Sequence, residues 1–161
     1  MQTIQMETRI AAPTERCFLL SLSVDLHIAS TAETRERAIA GVTHGLIGPG
    51  ERVTWKGRHF GLTLTHESLI SKYERPRYFQ DVMVRGVFRS FEHDHFFEPV
   101  GDGTQMRDEL RFAAPLGPLG WLAERLFLRR YFAIFLRDRN LAIKQIAEAK
   151  SEVWQPYLAE P

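Results

Sequence analysis

A chain of 161 residues, 44% hydrophobic and 25% charged, has the length and composition of one globular domain with a core of its own. Its 21 basic and 20 acidic residues leave a net charge of +1 without a Lys/Arg block, so the electrostatic footprint of a nucleic-acid binder is missing. The single cysteine, Cys17, excludes an intramolecular disulfide and reads as a small buried hydrophobe.

The opening MQTIQMETRIAAP has neither the basic nor the apolar region of a signal peptide. Residues 3–10 alternate, with Ile4, Met6, Thr8 and Ile10 on one side, which predicts a first strand. Ala12-Pro13-Thr14-Glu15 reads as a helix start, and residues 16–30 as two short helices broken near 21–25. From Glu33 onward the pattern is β. Strands are expected over 35–43, 51–56, 60–72, 77–85, 87–98 and 104–114. A Gly-rich corner occupies 45–50, Gly57-Arg58 reads as a turn, and Val100-Gly101-Asp102-Gly103 is a strong hairpin signal.

After Pro115-Leu116-Gly117-Pro118 the character changes. Residues 119–151 carry one glycine, Gly120, and no proline, and they predict one long helix that ends before Pro156. Leu128, Phe132, Phe135, Ile143 and Ile146 favour one broad face, expected to pack on the sheet. Glu124, Arg125, Arg129 and Arg130 interrupt its apolar run, so no stable membrane insertion is expected, and the chain reads as cytoplasmic. Consecutive strands with short connections imply α+β architecture: a curved antiparallel sheet of about six or seven strands around a C-terminal helix. A gap between them would be a cavity, and eleven Phe, four Tyr and three Trp are a rich supply for its wall.

This arrangement resembles the START/SRPBCC helix-grip superfamily, which includes birch-pollen-type allergens and polyketide cyclases. The carriers are IAAPTERCF (10–18), GPGERVTW (48–55), HFG (59–61), FQDVMVRGVF (79–88), FEHDHFFEP (91–99), DGTQMRDEL (102–110) and PLGPLG (115–120). In particular the chain looks like the small bacterial branch labelled cyclase/dehydrase or cell-division-inhibitor-like. The resemblance covers nearly the whole of 1–161 as a single domain. It implies a fold but no one chemistry, since carriers, receptors and enzymes share this scaffold.

The stretch SFEHDHFFEP places two histidines one residue apart. A hairpin centred on Gly101-Asp102 sets Phe97 opposite Met106, His95 opposite Asp108, His93 opposite Leu110 and Phe91 opposite Phe112. These eight residues share the apolar, inward face. Ser90, Glu92, Asp94, Phe96, Glu98, Gln105, Arg107, Glu109 and Arg111 take the other, and a one-residue slip would bury the arginines. Alternation carries Asp94 away from the histidines. With no third ligand of assured proximity, neither a metal centre nor a cofactor is expected.

Asp108 lies across from His95, and a buried carboxylate needs such a partner. The pair reads as a structural hydrogen bond, as a polar anchor for a ligand's hydroxyl, carbonyl or carboxylate, or as the catalytic acid and base (His95, Asp108) of a cyclase or dehydratase. The other candidate ligand contacts come from both layers. From the sheet they are Trp55, Phe60, His66, Phe79, Asp81 and Met83, beside Phe91, His93, Phe97, Met106, Leu110 and Phe112 of the hairpin. From the helix they are Leu128, Phe132, Phe135 and Arg139, the last reaching toward Asp81 or Asp108. Asp81 has Arg85 or a helix arginine as expected partners. His59 and His66 read more as structural residues than as functional ones, and His44 as solvent-facing.

No G-x-S-x-G elbow is present, and GLIGPGE lacks the Lys-Ser/Thr of a phosphate loop. The expected function is binding of a small hydrophobic molecule such as a lipid, an aromatic polyketide or an isoprenoid, by a monomer or weak homodimer. The alternatives are the cyclase/dehydratase and a protein-interaction module with a filled cavity, acting through the helix or the 45–50 loop.

Overall fold

The computed structural model describes residues 1–159. The chain runs β1 (Gln2–Ile10), α1 (Thr14–Leu22), α2 (Val24–Ser30), β2 (Arg37–Gly41), β3 (Arg52–His59) and β4 (Leu62–Glu74). It continues through β5 (Tyr78–Arg85), β6 (Ser90–Val100), β7 (Gly103–Ala113), α3 (Gly117–Ala123) and α4 (Arg129–Ala147). All strand pairs are antiparallel, in one seven-stranded sheet of order β1-β7-β6-β5-β4-β3-β2. The expected α+β helix-grip architecture is borne out, with two short helices after β1 and a long helix after β7.

The β6–β7 hairpin turns at Gly101-Asp102, where Gly101 takes φ +58° without strain. Its register is the expected one: His95 faces Asp108, His93 faces Leu110 and Phe97 faces Met106. Register shifts at Ala38/Ala40, Glu67/Ser68 and Ile70/Lys72 mark irregularities in β2 and along the β4–β5 pair, and bulges of this kind bend a sheet. Asp81 lies in β5, the central strand of the sheet, and His93 in β6 beside it.

Two buried clusters hold the layers together. Under α1, Phe18 makes edge contacts with Tyr73, Phe79 and Phe97 at 5.3, 5.7 and 5.5 Å between ring centroids. Under the start of α4, Phe132 meets Phe88, Phe91 and Phe112, beside Ile4, Leu110 and Leu136. These aromatic contacts add to area burial that stabilises by about 25 cal/mol per Å².

Four local expectations are corrected. The β3–β4 turn falls at Phe60-Gly61, where both residues have positive φ, so β4 begins at Leu62 and Gly57-Arg58 stay within β3. A glycine is needed at 57 because a Cβ would come within 2.6 Å of Glu36 Cγ. β2 covers Arg37–Gly41 alone. The helix predicted over 119–151 is α3, a π-helical turn over Glu124–Leu128, and α4, which ends at Ala147. Its first turns leave Leu119, Trp121, Leu122, Leu126 and Phe127 exposed, so only the later part, from Leu128, packs as predicted. Asp94 does leave the histidine face but is buried there. Tyr78 Oη donates to it at 2.5 Å, Gln80 Nε2 at 2.9 Å and Arg111 at 2.5 Å. Among the described residues no helix is long and apolar enough to cross a membrane.

Candidate functional site

A cavity of about 180 Å³ lies between the concave face of the sheet, the α1–α2 junction and α4. Cavities of about 150 Å³ with apolar walls hold a benzene-sized molecule. Val53, Trp55, Leu64, Ile70, Phe79 and Phe91 form much of its sheet side, and Phe132, Phe135 and Leu136 its helix side. Ser68 is a small gap in this apolar wall.

One corner is polar. β5 and β6 set Asp81 opposite His93 and Phe79 opposite His95, so all four side chains point into the concave side. Phe79 stacks on the His95 ring at 4.1 Å. His95 Nε2 donates to Asp81 Oδ2 at 3.0 Å, and His93 Nε2 donates to Asp108 Oδ1 at 3.0 Å. Asp108 is wholly buried behind both rings, and its second oxygen accepts from Asn140 Nδ2 of α4 at 2.7 Å. Arg139 sits 3.9 Å from Asp108 while its other arm donates to the Ser21 carbonyl at 3.0 Å.

His95 Nδ1 is 2.9 Å from Asp108 Oδ1 but lacks hydrogen-bond direction, and among the described residues it has no hydrogen-bond partner. The His95–Asp108 pair expected from the hairpin is therefore a contact, and the hydrogen bonds run His95–Asp81 and His93–Asp108. Arg85 is not the partner of Asp81, because the imidazole lies on the adjoining strand, on the same side of the sheet.

Burial alone would raise the Asp81 carboxyl, but the His95 hydrogen bond and the charges of His93, His95 and Arg139 hold it down at about 2. Asp108 is likewise kept ionised, well below the usual range, against its burial, by His93 and His95. Burial and the neighbouring imidazole push His93 below its ordinary value, toward the neutral form. Two ionised carboxylates, Asp81 and Asp108, thus share this corner with the one guanidinium of Arg139.

A second polar group lies in the same cavity and was not foreseen. Glu36, buried in the connection before β2, accepts from His27 Nε2 at 2.5 Å and lies 3.0 Å from His59 Nε2. His59 Nδ1 is 2.5 Å from Tyr131 Oη of α4. Burial would raise Glu36, yet the two imidazoles bring it to about 2, while burial pushes Tyr131 up to about 12. The sequence signal was Gly57, a glycine inside an alternating run, which marks close approach of another group.

Of the predicted contacts, Trp55, Phe60, His66, Phe79, Asp81, Phe91, His93, His95, Leu110, Phe132, Phe135 and Arg139 border the cavity. Met83, Phe97, Met106, Asp108, Phe112 and Leu128 are not on its wall. Phe97 and Met106 are packed under α1, Phe112 under Phe132, and Asp108 behind the imidazoles. Met83 folds back beside Gly86, and Leu128 lies in the π-helical turn.

No family model and no curated protein sequence matches the chain. Solved structures do match in fold. A START superfamily protein from Mycobacterium smegmatis has a TM-score of 0.68 at 12% identity, over 91% of this chain and 97% of that one. Ginseng major latex-like protein 151 from Panax ginseng has 0.67 at 13%, over 92% and 98%. The di-domain ARO/CYC protein BexL of the BE-7585A biosynthetic pathway has 0.68 at 18%, over 93% of this chain and 51% of its own length. The chain thus has the helix-grip fold that the sequence resemblance implied.

Proposed function

We propose that the protein binds a small hydrophobic ligand in the cavity between sheet and α4, with a polar group of the ligand held at the Asp81–His93–His95–Arg139 corner. The observation that carries this reading is the cavity itself: an open, mostly aromatic and aliphatic space with its polar atoms gathered at defined points. Desolvation of the ligand would supply the affinity, and the corner its orientation. An interaction module with a filled interior accounts for none of this. The reading places the protein in the cytoplasm, as a monomer or weak homodimer, and its net charge of +1 gives it no attraction to nucleic acid. Native mass spectrometry of the purified protein tests it: a bound organic molecule supports the reading, and a filled interior in solution, closed to added apolar molecules, contradicts it.

One observation favours an enzymatic second reading. Asp81, with its side chain part-exposed toward the cavity, is hydrogen-bonded to His95, which touches a second, buried carboxylate; such a chain can move a proton to or from an enolisable ligand. His95→Gln separates the two. Lost turnover with retained binding would identify an enzyme, whereas a change in affinity alone would identify a carrier.

A further inference from the structure

The geometry points to a site for a divalent transition-metal ion at the cavity corner, with Asp81, His93 and His95 as ligands and Asp108 as the carboxylate that orients both imidazoles. The candidate donor atoms lie within 4.8 Å of one another. Asp81 Oδ2 is 3.0 Å from His95 Nε2 and 3.9 Å from His93 Nδ1. Bonds of about 2.0–2.1 Å to one ion set neighbouring donors about 3.0–3.4 Å apart, so small side-chain rotations complete the set.

The arrangement behind the donors is the stronger argument. The far nitrogen of each ring lies close to the same buried oxygen, Asp108 Oδ1: His93 is hydrogen-bonded to it at 3.0 Å, and His95 is in contact at 2.9 Å without hydrogen-bond direction. That carboxylate is itself anchored by Asn140. Carboxylates in this position fix the tautomer and direction of metal-binding imidazoles. His93 already donates from Nε2 to Asp108, which turns Nδ1 to the cavity side, 3.9 Å from Asp81 Oδ2. With Nε2 of His95 on the ion, its ring hydrogen would sit on Nδ1, which lies 2.9 Å from Asp108 Oδ1 and is otherwise without a hydrogen-bond partner among the described residues. Arg139, which also lines the cavity, lies 3.9 Å from Asp108 and offsets one of the two carboxylates, so one negative charge is left to attract a cation.

Two histidines and one carboxylate on one side of an ion leave further positions open toward the cavity. An ion there would act as a Lewis acid for a carbonyl or hydroxyl oxygen of the bound molecule. The sequence did not disclose the third ligand because Asp81 comes from β5, whose pairing with the H-x-H strand β6 has no turn signature to set its register.

Zn²⁺ titrated calorimetrically into chelator-treated, metal-free protein tests the site. Saturable one-to-one binding is expected. Asp81→Asn and His93→Gln should abolish saturation, and Asp108→Asn should weaken binding by about 10–100-fold. His44→Gln, at an exposed position away from the cavity wall, should leave it unchanged. Co²⁺ should add visible absorption bands in the wild type that are missing in Asp81→Asn. Absence of saturable binding, equal binding by Asp81→Asn, or loss in His44→Gln overturns the assignment. Should His93→Gln fail to fold, the isosteric Asp81→Asn decides. Uptake of a fluorescent apolar probe by the metal-free protein is read separately, so failure here is distinguishable from failure of the ligand reading.

Discussion

Asp108→Asn is the substitution whose consequence is most fully determined by the structure. The side chain has no solvent exposure and accepts from His93 Nε2 at 3.0 Å and from Asn140 Nδ2 at 2.7 Å, with Arg139 3.9 Å away. An amide keeps the shape but brings its own NH₂ against one of these two donors. One hydrogen bond becomes a donor–donor contact, and the buried guanidinium loses the charge that balances it. Removing one partner of a buried charged pair costs about 3–5 kcal/mol, because the partner left behind stays desolvated. For a domain of this size that lowers Tm by roughly 6–20 °C. Urea unfolding followed by circular dichroism measures the loss, with Asp102→Asn at the exposed hairpin turn as the control, expected within about 0.5 kcal/mol of wild type. If Asp108→Asn is as stable as Asp102→Asn with an unchanged m value, the buried network is not holding β6, β7 and α4 together as described.

Other outcomes follow from the same contacts. Phe18→Ala removes a fully buried ring from three edge contacts and should cost about 3–5 kcal/mol, read as a lower urea midpoint. Glu36 has a folded pKa depressed from 4.5 to about 2, so its contribution to stability is complete above pH 4.5 and is lost as pH falls toward 2. Glu36→Gln should therefore flatten the stability profile across that window, and an unchanged acid limb would show that the His27 and His59 contacts contribute nothing.

The β6–β7 hairpin was legible residue by residue because both strands alternate strictly and a two-residue Gly-Asp turn fixes their offset. Alternation reports a face and not a depth. Phe97, Met106 and Phe112 point inward as read, yet α1 and α4 cover them, so they belong to the core. Asp81 was placed on the right face and feels the helix arginine Arg139, but its hydrogen-bond partner His95 was missed, since register shifts along β4–β5 and the loop before β6 leave no turn signature that sets β5 against β6. Glu36 stands outside any periodic element and reaches its histidines only through tertiary packing. The break between α3 and α4 was hidden for another reason: a π-helical turn needs no proline or glycine, and 124–128 keep ordinary helix-forming residues.

The central claim is that a ligand-sized apolar space opens beside this polar corner. Fluorescence titration with 1-anilinonaphthalene-8-sulfonate, comparing wild type with Ser68→Phe, tests it most directly, because Ser68 lines the cavity and a ring at 68 would occupy it. The account predicts saturable, blue-shifted emission from the folded wild type and loss of that signal in a Ser68→Phe protein that remains folded. Absence of saturable binding to the wild type, or identical titrations for the two proteins, would contradict it.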